Sequence, residues 1–175
     1  MKISIMGLGY VGAVSAGCLA EEGHEVVGVD PQRAKVDLIN AGQSPIIERD
    51  IGEMIARAVG EGRLSATSDV LEAVRHTDVS LVCVGTPSLC NGHIDLRHVK
   101  RVCEQIGEGL RDHHGHTVVI RSTMLPGTMR DVVIPALEEA SGLRAGDDFV
   151  AFFGKAAGRN GADVAEPHDA DLHRE

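Results

Sequence analysis

Residues 2–30 read KISIMGLGYVGAVSAGCLAEEGHEVVGVD, and the order of elements in this stretch decides the fold. Lys2 to Met6 is apolar and β-branched, the pattern of a short buried strand. Gly7-Leu8-Gly9-Tyr10-Val11-Gly12 follows at once, a G-x-G-x-x-G in which strand gives way to helix. Val11, Val14, Ser15, Cys18 and Leu19 recur at helical spacing and predict the stripe that packs on a sheet. Gly23 closes that helix, Glu25 to Val29 is a second strand, and Asp30 stands at its C-terminal end.

Each piece has a physical task. Gly7 permits the tight turn, Gly9 lets backbone approach a pyrophosphate, and Gly12 lets the helix lie close on the strand. The phosphates meet unpaired N–H groups at a helix N-terminus, where the dipole favours anions. Asp30, eighteen residues past Gly12, accepts hydrogen bonds from an adenosine ribose, whose free 2′-hydroxyl marks NAD rather than NADP. A glycine-rich turn that binds nothing would not need this acid. Lys2 and the apolar run ending in Ser15-Ala16-Gly17-Cys18 also resemble a lipoprotein signal, but the glycine spacing and the strand after it fit the nucleotide reading better.

Composition narrows the class. The chain has 175 residues, enough for one domain with a real core. It is 43% hydrophobic with three Phe, one Tyr and no Trp, so Val, Ile, Leu and Ala must fill a buried parallel sheet. A net charge of −9 argues against nucleic acid or anionic membrane as partner. Cys18, Cys83, Cys90 and Cys103 lack C-x-x-C spacing and read as reduced core thiols of a cytoplasmic protein.

Further along, Pro31 to Asn40 predicts a short helix ended by Gly42, with Lys35 within reach of the adenosine side. An extended Ser44-Pro45-Ile46-Ile47-Glu48 leads to a helix carrying Ile51, Met54, Ile55, Ala58 and Val59 on one face. Arg63 to Thr67 is a third strand, and Ser68 or Asp69 caps the next helix. Asp78 to Val84 is a fourth strand, buried on both sides, with Gly85-Thr86-Pro87-Ser88 at its exit beside strand one. Asp95 caps a long helix with Val99, Val102, Cys103, Ile106 and Leu110 inward. His113-His114-Gly115-His116 reads as a solvated turn rather than a metal site. Strand five, Thr117 to Ile120, exits into Arg121-Ser122-Thr123, with Ser122 and Thr123 facing the crevice. Thr128 and Asp131 look like a capping pair, Pro135 predicts a kink, and Phe149 to Phe153 is a sixth strand. The expected architecture is α/β: a doubly wound, Rossmann-type parallel sheet of about six strands over 1–153, then an unstructured tail over 154–175.

The motifs together resemble a known family. Gly7 to Val14, Ser44-Pro45-Ile46, Val84-Gly85-Thr86-Pro87-Ser88 and Arg121-Ser122-Thr123 through Leu125-Pro126-Gly127-Thr128 are similar to the N-terminal domain of the UDP-glucose/GDP-mannose dehydrogenases. Gly17-Cys18-Leu19, Asn91-Gly92 and Ile94-Asp95-Leu96 resemble its GDP-mannose 6-dehydrogenase branch. The resemblance implies an NAD-dependent, two-step oxidation of a nucleotide sugar at C6, serving polysaccharide biosynthesis. It implies Gly7, Gly9, Tyr10, Val11, Gly12, Asp30, Lys35, Thr86 and Thr123 as NAD contacts. It offers no catalytic residue here, because the family's nucleophilic cysteine lies in a Gly-Gly-Ser-Cys motif that none of the four cysteines matches. The family's Pro-Gly after its acid is Arg49-Asp50 in this chain. Similarity and hydrophobic period both stop near residue 150, which motivates the hypothesis of a frameshift or premature stop. Two functions follow: the cofactor domain of a nucleotide-sugar dehydrogenase, inactive until a substrate domain is supplied, or a non-catalytic dinucleotide-binding or interaction fragment.

Overall fold

A computed structural model describes residues 1–153 apart from Arg49 and Asn91, so the expected tail lies outside the described residues. Six parallel strands form one sheet in the order β3-β2-β1-β4-β5-β6. They are β1 (Lys2–Met6), β2 (Glu25–Val29), β3 (Leu64–Thr67), β4 (Val79–Val82), β5 (His116–Ile120) and β6 (Phe149–Phe153). The helices are α1 (Tyr10–Glu21), α2 (Arg33–Asn40), α3 (Ile51–Gly60), α4 (Val70–Arg75), α5 (Arg97–Leu110) and α6 (Ile134–Ser141). The order reverses between β1 and β4, which creates the switch point expected of a doubly wound sheet.

Strand alternation gives the sheet two cores. Met6, Val82, Val118, Ile120, Phe149 and Ala151 are buried with α4, α5 and α6 on one face. Ile3, Ile5 and Val26 are buried with α1 and α3 on the other. The second layer stops short. Val79, Leu81, Thr117, Val119 and Phe152 are only half-buried, because α1 and α3 lie over β1 to β3. The expectation that β4 is buried on both faces is therefore corrected. At the far edge the Asn40 side chain takes the place of a seventh strand: its Nδ2 donates to Ala66 O at 2.9 Å and its Oδ1 accepts from Ala66 N at 2.8 Å.

Three local expectations change for steric or hydrogen-bonding reasons. The buried residues of α1 are Gly12, Ala13, Ser15, Ala16, Gly17 and Ala20, whereas Val11 and Cys18 are exposed and Val14 and Leu19 half-buried. Small residues are selected because the helix sits close on the strand exit at Gly12 and close on α3 at Gly17. Thr128 and Asp131 form no cap, and Asp131 instead pairs with Arg130. The expected disturbance at Pro135 is a π-helical turn, Met129–Val133, running straight into α6; proline has no N–H for the regular ladder. Asp69 accepts from Glu72 N as its cap, and Asp95 accepts from Arg97 N at the start of α5. Cys103 is buried and Cys83 half-buried, but Cys18 and Cys90 are exposed, so only two of the four are core thiols.

His116 departs furthest from expectation. It is the first residue of β5 and fully buried, not part of a solvated turn. Its Nδ1 faces Thr77 O at 3.0 Å, and a carbonyl can only accept, so Nδ1 carries the proton. Nε2 then accepts from Ser80 Oγ at 2.8 Å, and Ser80 meets Ser4 Oγ at 2.8 Å. Thr77 Oγ1 lies 3.1 Å from Ser4 Oγ and completes a polar ring through β1, β4 and β5. Burial and the His113 ring beside it hold the His116 imidazole down at about 4, against the backbone carbonyl of Thr77 and the nearby Asp78 carboxylate, which favour the charged form.

Two expectations for stability follow. The unfolded chain binds a proton at His116 before the folded chain does, so stability drains as pH falls from about 6.5 to about 4, by up to about 1.4 kcal/mol per pH unit. Urea unfolding of wild type and His116→Gln across that range checks this; the variant loses that part of the slope. Asp50 adopts φ 67°, the left-handed region, at the position of the glycine in the family's Pro-Gly. Asp50→Gly is expected to raise the unfolding free energy by up to about 1 kcal/mol in the same assay.

Candidate dinucleotide-binding site

In an all-parallel sheet every strand exit lies on one edge. The exits of β2, β1, β4 and β5 are consecutive there, and they bring Asp30, the glycine bend, Thr86 and Thr123 into one row. Neighbouring strands are about 4.8 Å apart, so the row runs about 14 Å from Asp30 to Thr123. That length suits a dinucleotide lying across the switch point.

The bend is built as its sequence requires. Gly7 has φ 98°, and its N–H donates to Val29 O at 2.7 Å. A methyl group on Gly12 would stand 1.8 Å from Gly7 O, so only glycine lets α1 begin this close to the strand exit. A methyl group on Gly9 would meet nothing within 4 Å. The space over Gly9 is open on the side where a ligand would approach. No side chain caps α1 and its first turn holds no acid, so the N–H groups of that turn stay available to an anion.

Asp30 is 4% exposed, more enclosed than a simple ribose ligand needs to be. Its Oδ2 accepts from Leu8 N at 2.8 Å and from Lys35 Nζ at 3.1 Å, and its Oδ1 accepts from Gln32 N at 2.9 Å. A carboxylate offers about four lone-pair positions, so one on Oδ1 is left for a hydroxyl. Lys35 is thus joined to Asp30 at the β2 end of the row. These residues fit a dinucleotide: an uncapped helix end, an open glycine and a carboxylate with capacity for a ribose.

The other predicted residues divide. Tyr10 and Val11 are exposed at the start of α1, and the Tyr10 hydroxyl hydrogen-bonds Glu48, which pushes the phenol above its usual range. Thr86 is half-buried and Thr123 exposed, both at the edge. Ser122 does not face the crevice. Its Oγ donates to Val84 O at 2.7 Å, tying the two strand exits together. Among the described residues no group of three or more His, Cys, Asp or Glu could hold a metal ion, and no helix is long and apolar enough to cross a membrane. The bond from Leu8 N to Asp30 is invisible in the sequence, because a backbone donor leaves no residue-type signal.

The profile of the UDP-glucose/GDP-mannose dehydrogenase family, NAD binding domain, matches residues 1–153. The chain belongs to the UDP-glucose/GDP-mannose dehydrogenase family. NAD is the cofactor of the matched domain. The GDP-mannose 6-dehydrogenase of Azotobacter vinelandii is 59% identical over 150 residues, which cover 85% of this chain and 34% of that protein. The UDP-glucose 6-dehydrogenase of Haloferax volcanii is 45% identical over 148 residues, covering 84% of this chain and 34% of that one. A crystal structure of a ternary complex of GDP-mannose dehydrogenase from Pseudomonas aeruginosa superposes with a TM-score of 0.86 at 52% identity, covering 87% of this chain and 35% of that one. The chain therefore spans about a third of the length of the curated relatives it matches.

The two glycines separate folding from binding. Gly12→Ala is expected to destabilise the chain by about 3 kcal/mol or more, since backbone rather than a flexible side chain must move. Gly9→Ala should stay within about 1 kcal/mol of wild type and yet weaken NAD binding by about tenfold or more. Denaturant unfolding and calorimetric titration on both variants check the split.

Proposed function

We propose that this chain is the cofactor-holding part of a nucleotide-sugar 6-dehydrogenase of the GDP-mannose type, in which the edge from Asp30 to Thr123 seats NAD. The observation that carries the reading is the glycine bend, with its uncapped helix end and open Gly9, joined to a buried Asp30 that keeps one lone pair free. The GDP-mannose assignment is supported by identities of 54–59% to relatives of that name, against 39–45% for UDP-glucose 6-dehydrogenases. Such an activity makes a sugar acid for polysaccharide biosynthesis and belongs in the cytoplasm, where NAD and nucleotide sugars are found.

Bound NAD supplies an acceptor for hydride. The chain's own residues do the positioning. The first-turn N–H groups of α1 hold the diphosphate, and Gly9 keeps backbone close to it without a side chain between. Asp30 accepts from the adenosine ribose, with Lys35 balancing its charge. Thr86 and Thr123 stand at the opposite end of the row, where the nicotinamide would lie. None of the four cysteines lies in a Gly-Gly-Ser-Cys motif, and no residue here is assigned to the chemical step.

Calorimetric titration of the 175-residue chain is expected to give saturable NAD binding, with NADP at least about tenfold weaker because its 2′-phosphate meets the Asp30 carboxylate. The same chain with NAD and GDP-mannose should form no NADH. Equal affinity for the two cofactors would overturn the ribose assignment. Turnover by the chain alone would overturn the division of labour.

A further inference from the structure

One hydrogen bond crosses this edge at a place the nucleotide motif does not explain. Arg121 follows β5 directly, and its Nη1 donates to Ser15 Oγ at 2.8 Å, on a helix 106 residues away in sequence. Ser15 is buried, and its own hydroxyl donates to Val11 O at 2.7 Å. The direction is forced. A guanidinium can only donate, so Ser15 accepts from it and has its single proton left for the carbonyl. A full positive charge thus stands one hydroxyl away from the first turn of α1.

Arg121 is exposed and borders a groove of about 440 Å³ whose walls include Ile3, Val14, Val79 and Leu81. The Cys83 thiol beside it is pushed up to about 11 by burial, even though the guanidinium draws it the other way. Cations are unfavourable at a helix N-terminus, and no acid in the first turn of α1 offsets this one. A diphosphate on the first-turn N–H groups reverses the sign of the interaction.

We infer that Arg121, acting through Ser15, is a positioning residue for the cofactor diphosphate: the pair braces the first turn of α1 against the exit of β5 and adds charge that only the occupied site uses. This role rests on the NAD reading of the same edge. The brace and the cofactor contacts are separate sets, since neither Arg121 nor Ser15 belongs to the row from Asp30 to Thr123.

The test uses the full chain with Arg121→Met, Arg121→Lys and Ser15→Ala, measuring NAD affinity by calorimetry and the melting temperature without cofactor. Arg121→Met is expected to weaken NAD binding about tenfold and Ser15→Ala about threefold, while Arg121→Lys recovers most of the loss. The cofactor-free melting temperature of Arg121→Met should be unchanged or higher, because an unfavourable charge has been removed. Amide exchange at Ala13 in the first turn of α1 should be faster in Arg121→Met and Ser15→Ala. Affinities within twofold of wild type in both variants overturn the inference. So does a melting temperature that falls together with affinity while lysine rescues neither, since that marks packing alone. Absence of NAD binding by the wild-type chain is a different failure, which removes the cofactor reading and the brace with it.

Discussion

A backbone N–H at Leu8 and a carboxylate at Asp30 hold the glycine bend to the exit of β2. Gly7 turns the chain out of β1, and the next amide is aimed sideways at the end of β2, where Asp30 Oδ2 receives it at 2.8 Å. The bond is charge-assisted and enclosed, which makes it stronger than a neutral bond at the surface. Lys35 supplies the balancing charge without which the buried carboxylate would be unfavourable. Leu8 itself is fully buried, so the bend is fastened by packing on one side and by the carboxylate on the other. Everything that follows along the bend, from the open Gly9 to the uncapped start of α1, depends on that fastening.

Much of this was legible in the sequence, for reasons that can be named. The strands are short β-branched runs, and the glycines that stop the helices reappear with positive φ at residues 23, 42, 62 and 142. The row of strand exits follows from parallel topology once six strands are placed in order. The misses have a common origin in size and partnership. Helical spacing points to the larger apolar residues of α1 as its packed side, but close approach selects Ala and Gly. His116 sat in a run of histidines that suggested solvent, and its environment exists only when Ser4, Thr77 and Ser80 arrive from two other strands and a loop. Ser122 points where β4 pairs with β5, which no local pattern encodes.

The two faces of the sheet are finished to different degrees. One carries α4, α5 and α6 over a continuous core from Met6 to Ala151. Among the described residues the other is covered by helices beside β1, β2 and β3, and the Arg121 side chain spans the stretch of sheet next to them. An ion-bearing side chain is suited to that span because its stem can lie along apolar wall while its head reaches a polar partner. The same arrangement keeps the guanidinium close to α1 without a helix–helix contact to do so.

Asn40 gives the sheet a direction. With its amide group bonded to both backbone atoms of Ala66, the side chain imitates one rung of a ladder on the outer side of β3. A strand arriving at that edge would have to displace this amide before it could pair with Ala66, so the side chain acts as a stopper at the middle of β3.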